Sequence, residues 1–264
     1  MISIDKYAYR SKLKAVDPMQ KVVFALLTLG VCLWADDLII SVAVIFIMGG
    51  MTVLKGGTPL RFFIKLMLVP MSFLFIGVLT VAVKMSQRPE GFLASIAVGG
   101  AWIGFSYTGL SEALSLFLKA LGAVSCLYFL SLSTPVVDLL AALRRLRLPK
   151  LLVELMGLVY RFIFVLIDTA DTIYNAQNCR LGYSSLTTGY RSLGSLVSVL
   201  FIRAYRRSDE LYTALESRGY EGEFNVLEET YVSHRTGYVL AITVNALLVL
   251  FAVILRQIKG GALW

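Results

Sequence analysis

The sequence predicts an all-α, polytopic membrane protein with about five transmembrane helices and long amphipathic helices on the cytoplasmic side. Composition is the first reason. Of 264 residues, 58% are hydrophobic and 16% charged, against about 45–50% and about 25% in a soluble domain. The second reason is that the apolar residues fall in long runs, several near the roughly 20 residues that a bilayer requires. The third is the placing of the charge: the formal net charge is +8, and the basic residues gather between the runs, as they do in membrane proteins. A mean hydropathy of +0.76 excludes an ordinary soluble domain and a disordered chain alike.

The N-terminal segment is polar and basic, with Lys6, Arg10, Lys12, Lys14 and Lys21, and shows no cleavable signal peptide. An apolar run from Val22 to Ala35 is short for a span; snorkelling by Lys21 would lengthen its reach. Asp36-Asp37 turns the chain into a second run, Leu38 to Leu54. Pro59 suits a helix start, and residues 62–83 form a third span, kinked at Pro70. Residues 92–111, with Gly99-Gly100, Gly104 and Gly109, read as a loop or re-entrant element leading into a helix from about Thr108 to Ser133. Glu112 and Lys119 lie seven residues apart on one face of that helix. Each intramembrane charge costs about 2.5–3.5 kcal/mol, so the pair is expected to face protein.

Beyond Ser133 the character changes. Asp138 to Arg147 is amphipathic, ends in Arg144-Arg145-Leu146-Arg147 and is stopped by Pro149. A long helix then runs from Leu151 to about Cys179. Glu154, Arg161, Asp168, Thr172, Asn175 and Cys179 fall within about 60° of one another. Leu152, Leu155, Val159, Phe162, Leu166, Ala170 and Ile173 lie opposite. Such a helix lies at an interface or packs under a bundle. After Gly182 and Gly189 a second helix of this kind is expected from about Ser192 to Ser217, with Gly219 as its stop. Residues 221–235 are polar, and Thr236 to Leu255 is a last, uncharged span.

These elements divide the chain into N-terminal transmembrane helices (1–133), a cytoplasmic or interfacial module (134–235) and a last span (236–264). With the N-terminus inside, five Lys or Arg precede the first span, three lie at 55–65, four at 144–150 and seven from Arg180 to Arg235: nineteen of the twenty-five. Lys84, Arg88, Arg256 and Lys259 fall outside. The asymmetry supports a cytoplasmic N-terminus. If 151–167 and 191–205 also crossed, the spans would number seven with the same end orientations.

Catalytic chemistry is sparse. The dipeptide Gly-Lys does not occur in the sequence, which excludes a Walker A phosphate loop. There is no H-E-x-x-H or C-x-x-C. Cys32, Cys126 and Cys179 are scattered and form no disulfide framework. His234, the single histidine, sits in a polar linker and reads as solvated. No enzyme activity, cofactor or metal site is expected.

What stands out is a repeated motif. One helix ends Cys179-Arg180-Leu181-Gly182-Tyr183; the next ends Ser217-Arg218-Gly219-Tyr220. Ordinary C-capping explains either copy, since Arg suits the negative helix end and Gly the left-handed turn. Two copies on consecutive amphipathic helices favour a docking device, because a guanidinium on a helix tip can enter an acidic groove bidentately.

The chain resembles the transmembrane T components of energy-coupling-factor (ECF) transporters, most closely their cobalt-type CbiQ branch. The resemblance covers most of the chain. It is carried by Ile4-Asp5-Lys6-Tyr7-Ala8-Tyr9-Arg10-Ser11-Lys12-Leu13, by Asp17-Pro18 with Lys21, and by the two arginine motifs. The family pattern, Ala-Arg followed by Gly or Ser, falls on Cys179-Arg180-Leu181 and Ser217-Arg218-Gly219. Both depart at the first position and the first departs at the third. The resemblance implies a non-catalytic subunit, multi-pass in a prokaryotic cell (inner) membrane, of an ATP-driven importer for cobalt or another transition metal ion. Its two arginine-bearing coupling helices would dock on two cytoplasmic ABC ATPase subunits and pass motion to a membrane substrate-binding (S) component. No nucleic acid partner is implied. The rival readings are a permease of a secondary transporter or other ion transport protein, although no internal repeat relates the spans, and a membrane-bound enzyme, for which the titratable cluster is missing.

Overall fold

A computed structural model describes residues 3–35, 37–86, 92–98, 101–146, 148–220 and 235–258. Among these are nine α-helices: α1 (Ser3–Arg10), α2 (Pro18–Ala35), α3 (Leu38–Gly50), α4 (Leu60–Ala82), α5 (Tyr107–Ser133), α6 (Val136–Arg145), α7 (Lys150–Cys179), α8 (Leu186–Glu216) and α9 (Arg235–Ile258). A π-helical turn, Met51–Lys55, prolongs α3. Five stretches are long and apolar enough to span a membrane: Pro18–Ala35, Leu38–Lys55, Leu60–Ala82, Gly109–Ser133 and Thr236–Gln257. Neither α7 nor α8 is among them, so the seven-span alternative has no support in length and composition.

The first span is longer than the apolar run suggested. Asp17 caps α2 by accepting a 3.1 Å hydrogen bond from the Met19 amide, and Pro18 takes the first helical position, where its missing N–H costs nothing. Asp37 caps α3 by accepting from Ile39 N at 3.3 Å; Asp36 lies outside the described residues. Helix α4 continues through Pro70 as one element. Glu112 is exposed and Lys119 half-buried. Lying six residues into α5, Glu112 does not turn wholly into protein.

In the glycine-rich stretch 92–111, read as a loop or re-entrant element leading into a helix, residues 92–98 and 101–106 are instead strands and 107–111 open α5; Gly99 and Gly100 lie outside the described residues. Strands β1 (Val83–Ser86), β2 (Phe92–Val98) and β3 (Ala101–Ser106) form an antiparallel sheet in the order β1-β3-β2. The central pairings include Met85 with Ile103 and Ser95 with Gly104. The physical reason is hydrogen bonding: neighbouring extended runs satisfy each other's backbone.

By contacts the chain separates into two units, 136–229 and 2–135 with 230–264. In the larger unit the core is shared by α2, α3, α5 and α9 through Phe24, Cys32, Ile40, Val44, Met48, Cys126, Phe129, Ala241, Leu248 and Ala252. Phe24 and Phe129 meet edge to face at 5.5 Å. Gly122 is required by close approach: a Cβ there would stand 2.8 Å from Cys32 Sγ. Buried hydroxyls donate within their own helices, Thr28 to Phe24 O at 2.8 Å, Thr52 to Met48 O at 2.7 Å and Ser125 to Gly122 O at 2.7 Å. Local bonds of this kind are what a lipid-surrounded bundle demands. At one end of the bundle the Arg256 guanidinium stands 4.7 Å from the Trp34 ring and donates to Trp34 O at 3.3 Å.

At the other end the polar N-terminal segment is folded in. Tyr7 stacks on Phe62 at 4.1 Å. Ser11 Oγ and Lys12 N both donate to Gly56 O at 3.2 Å. Lys21 is buried, and its Nζ donates at 3.1 Å both to Leu13 O and to Ser133 O. These contacts tie α1, the first residues of α2, the π-turn and the last residue of α5.

Replacing Lys21 with Met keeps length and apolar volume but removes the Nζ donor from the buried Ser133 carbonyl and one of the two donors of the part-buried Leu13 carbonyl. We expect a loss of roughly 1–3 kcal/mol, read as a lower denaturant midpoint of the purified chain in detergent. An unchanged midpoint would show that the two carbonyls find other donors.

Candidate interaction site at the helix tips

In the smaller unit α6, α7 and α8 follow one another. Pro149 precedes α7, and Gly157 packs against Leu140 of α6. Helix α8 starts earlier than its apolar pattern suggests, at Leu186. Ser185 accepts from Thr188 N and Thr188 returns the bond, a capping box that leaves Gly189 inside the helix. Helices α7 and α8 form a hairpin tied at both ends. Near the turn Gln177 Nε2 donates to Ser192 O at 3.0 Å and Ser192 Oγ to Gly182 O at 2.8 Å. At the far end Tyr220 OH donates to Glu154 Oε2 at 3.3 Å. Partial desolvation there, and after it the Glu154 carboxylate, push the Tyr220 phenol above its ordinary range.

The two arginine motifs adopt the same turn. At the first, Arg180 N donates to Gln177 O (3.1 Å), Leu181 N to Asn178 O (3.0 Å) and Gly182 N to Gln177 O (2.9 Å). At the second, Arg218 N donates to Leu215 O (3.0 Å), Gly219 N to Glu216 O (3.0 Å) and Tyr220 N to Leu215 O (3.1 Å). Both are Schellman closures in one register. Each arginine stands one residue before the residue with positive φ, and both are exposed. The two tips lie at opposite ends of the hairpin, and α8, at 31 residues, separates them by about 45 Å at 1.5 Å per residue.

The tips differ in the residue that turns left-handed. At the second it is Gly219, φ +70°, with open space where a Cβ would be. At the first it is Leu181, φ +60°, and not the neighbouring glycine. A left-handed Leu costs about 1–2 kcal/mol relative to Gly. Gly182 is needed for another reason: a Cβ there would stand 2.7 Å from Ser192 Oγ and 2.9 Å from Gln177 O. Cys179 and Ser217 are exposed small residues beside the arginines. The sequence supplied the motif; the exchange of roles between Leu181 and Gly182 was not legible in it, because Gly is the default left-handed residue.

Little of the hairpin is covered. No residue of α8 is buried, and Val153 is the only buried residue of α7. Leu152, Leu155 and Val159 of α7 are exposed, as are Tyr190, Phe201 and Tyr205 of α8. Among the described residues no group of three His, Cys, Asp or Glu is placed to hold a metal ion.

The cobalt transport protein (CbiQ) family model matches residues 10–230. The cobalt transport protein CbiQ of Salmonella typhimurium is 32% identical over 234 residues, 86% of this chain and all of the relative. A putative fused cobalt transport protein CbiMQ of Methanocorpusculum labreanum is 29% identical over 228 residues, 86% of this chain and 38% of the relative. The energy-coupling factor transporter transmembrane protein EcfT of Staphylococcus aureus is 31% identical over 189 residues, 67% of this chain and 64% of the relative. With five candidate spans, no phosphate-loop sequence and this similarity over most of its length, the chain belongs to the CbiQ/EcfT family, the non-catalytic transmembrane T components of energy-coupling-factor transporters.

Proposed function

We propose that the chain couples two cytoplasmic ABC ATPase subunits to a membrane substrate-binding component in an importer of cobalt or another transition metal ion. The observation that carries this reading is the pair of matched arginine-bearing closures, Arg180 and Arg218, at opposite ends of one hairpin. Two similar cationic tips about 45 Å apart suit a partner that is itself a two-fold or pseudo-two-fold pair. Each guanidinium, exposed on a backbone set by the closure behind it, can enter an acidic groove through a charge-assisted, bidentate bond.

Coupling then follows from stiffness. The hairpin is tied by Gln177–Ser192 at one end and Tyr220–Glu154 at the other. When ATP draws the two ATPases together, both tips move, and the hairpin tilts as a strut. The exposed apolar faces of α7 and α8 carry that motion to the substrate-binding subunit. The names of the Salmonella and Methanocorpusculum relatives support cobalt as the cargo, and in the second a CbiQ-like part is fused to further sequence.

The membrane orientation in this reading puts the N-terminus and 134–235 in the cytoplasm. Arg256, which the charge count leaves outside, is held by the Trp34 ring and carbonyl, so its cost at that surface is offset locally.

Three results are expected. The rigorously purified chain should show no ATP turnover of its own; specific hydrolysis would overturn the coupling role. Single cysteines at positions 191 and 218 should label from the cytoplasmic side and Arg88→Cys from outside; labelling of position 88 only from the cytoplasm would reverse the topology. Arg180→Ala and Arg218→Ala should each weaken ATPase retention, by up to roughly 2–5 kcal/mol where the partner's acid is left buried, and the double variant should lose retention and uptake. Lys should rescue in part, because it keeps the charge without the planar fork. A double variant with normal retention and uptake would leave helix capping as the whole role of both arginines.

A further inference from the structure

We infer that Leu181 is an apolar anchor that makes the first helix tip a two-point contact, unlike the second, so that the tips require different surfaces of the ATPase pair. The inference rests on the docking reading and deepens it.

The chain contains its own control. Both tips close with the same three backbone bonds, and at the second the left-handed position is filled by Gly219. The turn therefore needs no side chain there. At the first tip the same position holds Leu181, in a backbone conformation that L side chains rarely adopt. Its further backbone bond, accepting from Ser184 N at 3.2 Å, would be made equally by glycine.

Nor is the side chain used inside the protein. Leu181 is 74% exposed, so its isobutyl group adds little to the folding of the hairpin while its φ works against it. A side chain that is unfavourable for the turn and unused in the fold is explained by something outside it. What lies beside it narrows the choice. Leu181 directly follows Arg180, so one tip presents a cation and an apolar group together. Leu186 and Tyr190, in the first two turns of α8, are also exposed. The second tip, Glu216-Ser217-Arg218-Gly219, offers no apolar group.

The occupant that fits the first tip is an ATPase groove with an acidic group for Arg180 and an apolar floor for Leu181. The second tip needs only the acid. An ATPase pair of two different subunits would read this difference as orientation; a pair of identical subunits would carry an apolar floor in both grooves and use it once.

The test is titration of purified ATPase subunits, those that co-purify with the wild-type chain, against the full chain in nanodiscs. The variants are Leu181→Gly, Leu181→Asn and Leu181→Met, with Arg180→Ala and Arg218→Ala in parallel. Gly and Asn both accept a left-handed backbone and remove the apolar group. Each should lower affinity roughly 10- to 150-fold, the range expected for losing one fully buried Leu. Met should stay within about threefold of wild type. Leu181→Gly should also raise the thermal midpoint of the chain alone, a shift opposite in sign to its effect on binding. Wild-type affinity in the Gly and Asn variants would overturn the inference. So would a fall in affinity shared by Met and accompanied by a lower midpoint, which would assign Leu181 to the fold. If the arginine variants lose affinity while Leu181→Asn keeps it, the docking reading stands and this inference falls; if all bind normally, the docking reading falls as well.

Discussion

The buried ammonium of Lys21 is the constraint on which the membrane unit depends. A cation in a helical bundle is costly unless its donors are used. Here they are used on backbone: the carbonyl of Leu13, before α2, and that of Ser133, the last residue of α5. The Ser133 carbonyl is a group that a helix end leaves without a partner of its own, while Leu13 O, in the turn before α2, also accepts from Val16 N at 3.1 Å. One side chain therefore ties that turn to the end of α5. It fixes α5 just before the chain leaves, two residues later, for α6, α7 and α8. The polar N-terminal segment is not a loose leader in this arrangement. Ser11 and Lys12 close on Gly56, and Tyr7 stacks on Phe62, so the same region also fixes the π-turn and the start of α4.

The α6–α8 unit obeys a different logic. A helix of 31 residues with no buried side chain gains little from its own packing, and the order of its backbone must come from propensity, capping and closure. Ser185 with Thr188 supplies the start and the Gly219 closure the stop. The many apolar side chains left uncovered on α7 and α8 exceed what a protein working alone exposes without consequence. A rigid hairpin with cationic ends and apolar flanks is a part shaped for an assembly, which agrees with membership in a family of coupling subunits.

Much of this was legible in the sequence. Runs such as Leu38–Leu54 and Thr236–Leu255 announce themselves because a span is long and apolar throughout, and a twenty-residue pattern averages over local ambiguity. Shorter elements were not. Residues 3–10 form α1, but eight residues with Asp5, Lys6 and Arg10 among them carry no span signal, and their helix is made worthwhile by packing such as Tyr7 on Phe62. The strands at 92–98 and 101–106 were masked by glycines that suggest a loop, since strand pairing is a non-local property that no window contains. Helix α8 was started six residues late because Gly189 looked like punctuation, whereas the Ser185–Thr188 box had already begun the helix. At the tips, the motif and its repetition were visible, but the backbone closure and not the place of the glycine sets which residue turns left-handed, and the crowding that requires Gly182 comes from Ser192, ten residues away along the chain.

That last detail bears on how coupling subunits of this kind can be tuned. The Schellman closure fixes the backbone position of the arginine by backbone bonds alone, so the residues around it are free of the duty of making the turn. Cys179 and Ser217 can differ, and Leu181 and Gly219 can differ, while the arginine stays in one register. The crowding at Gly182 keeps the first tip pressed on the start of α8, and the Tyr220–Glu154 bond keeps the second on the start of α7. Motion imposed at either end thus reaches both helices before it reaches anything else. In the proposed coupling the tips would hold the partner, the ties would make the hairpin move as one body, and the exposed apolar flanks would be the surface through which that movement leaves the chain.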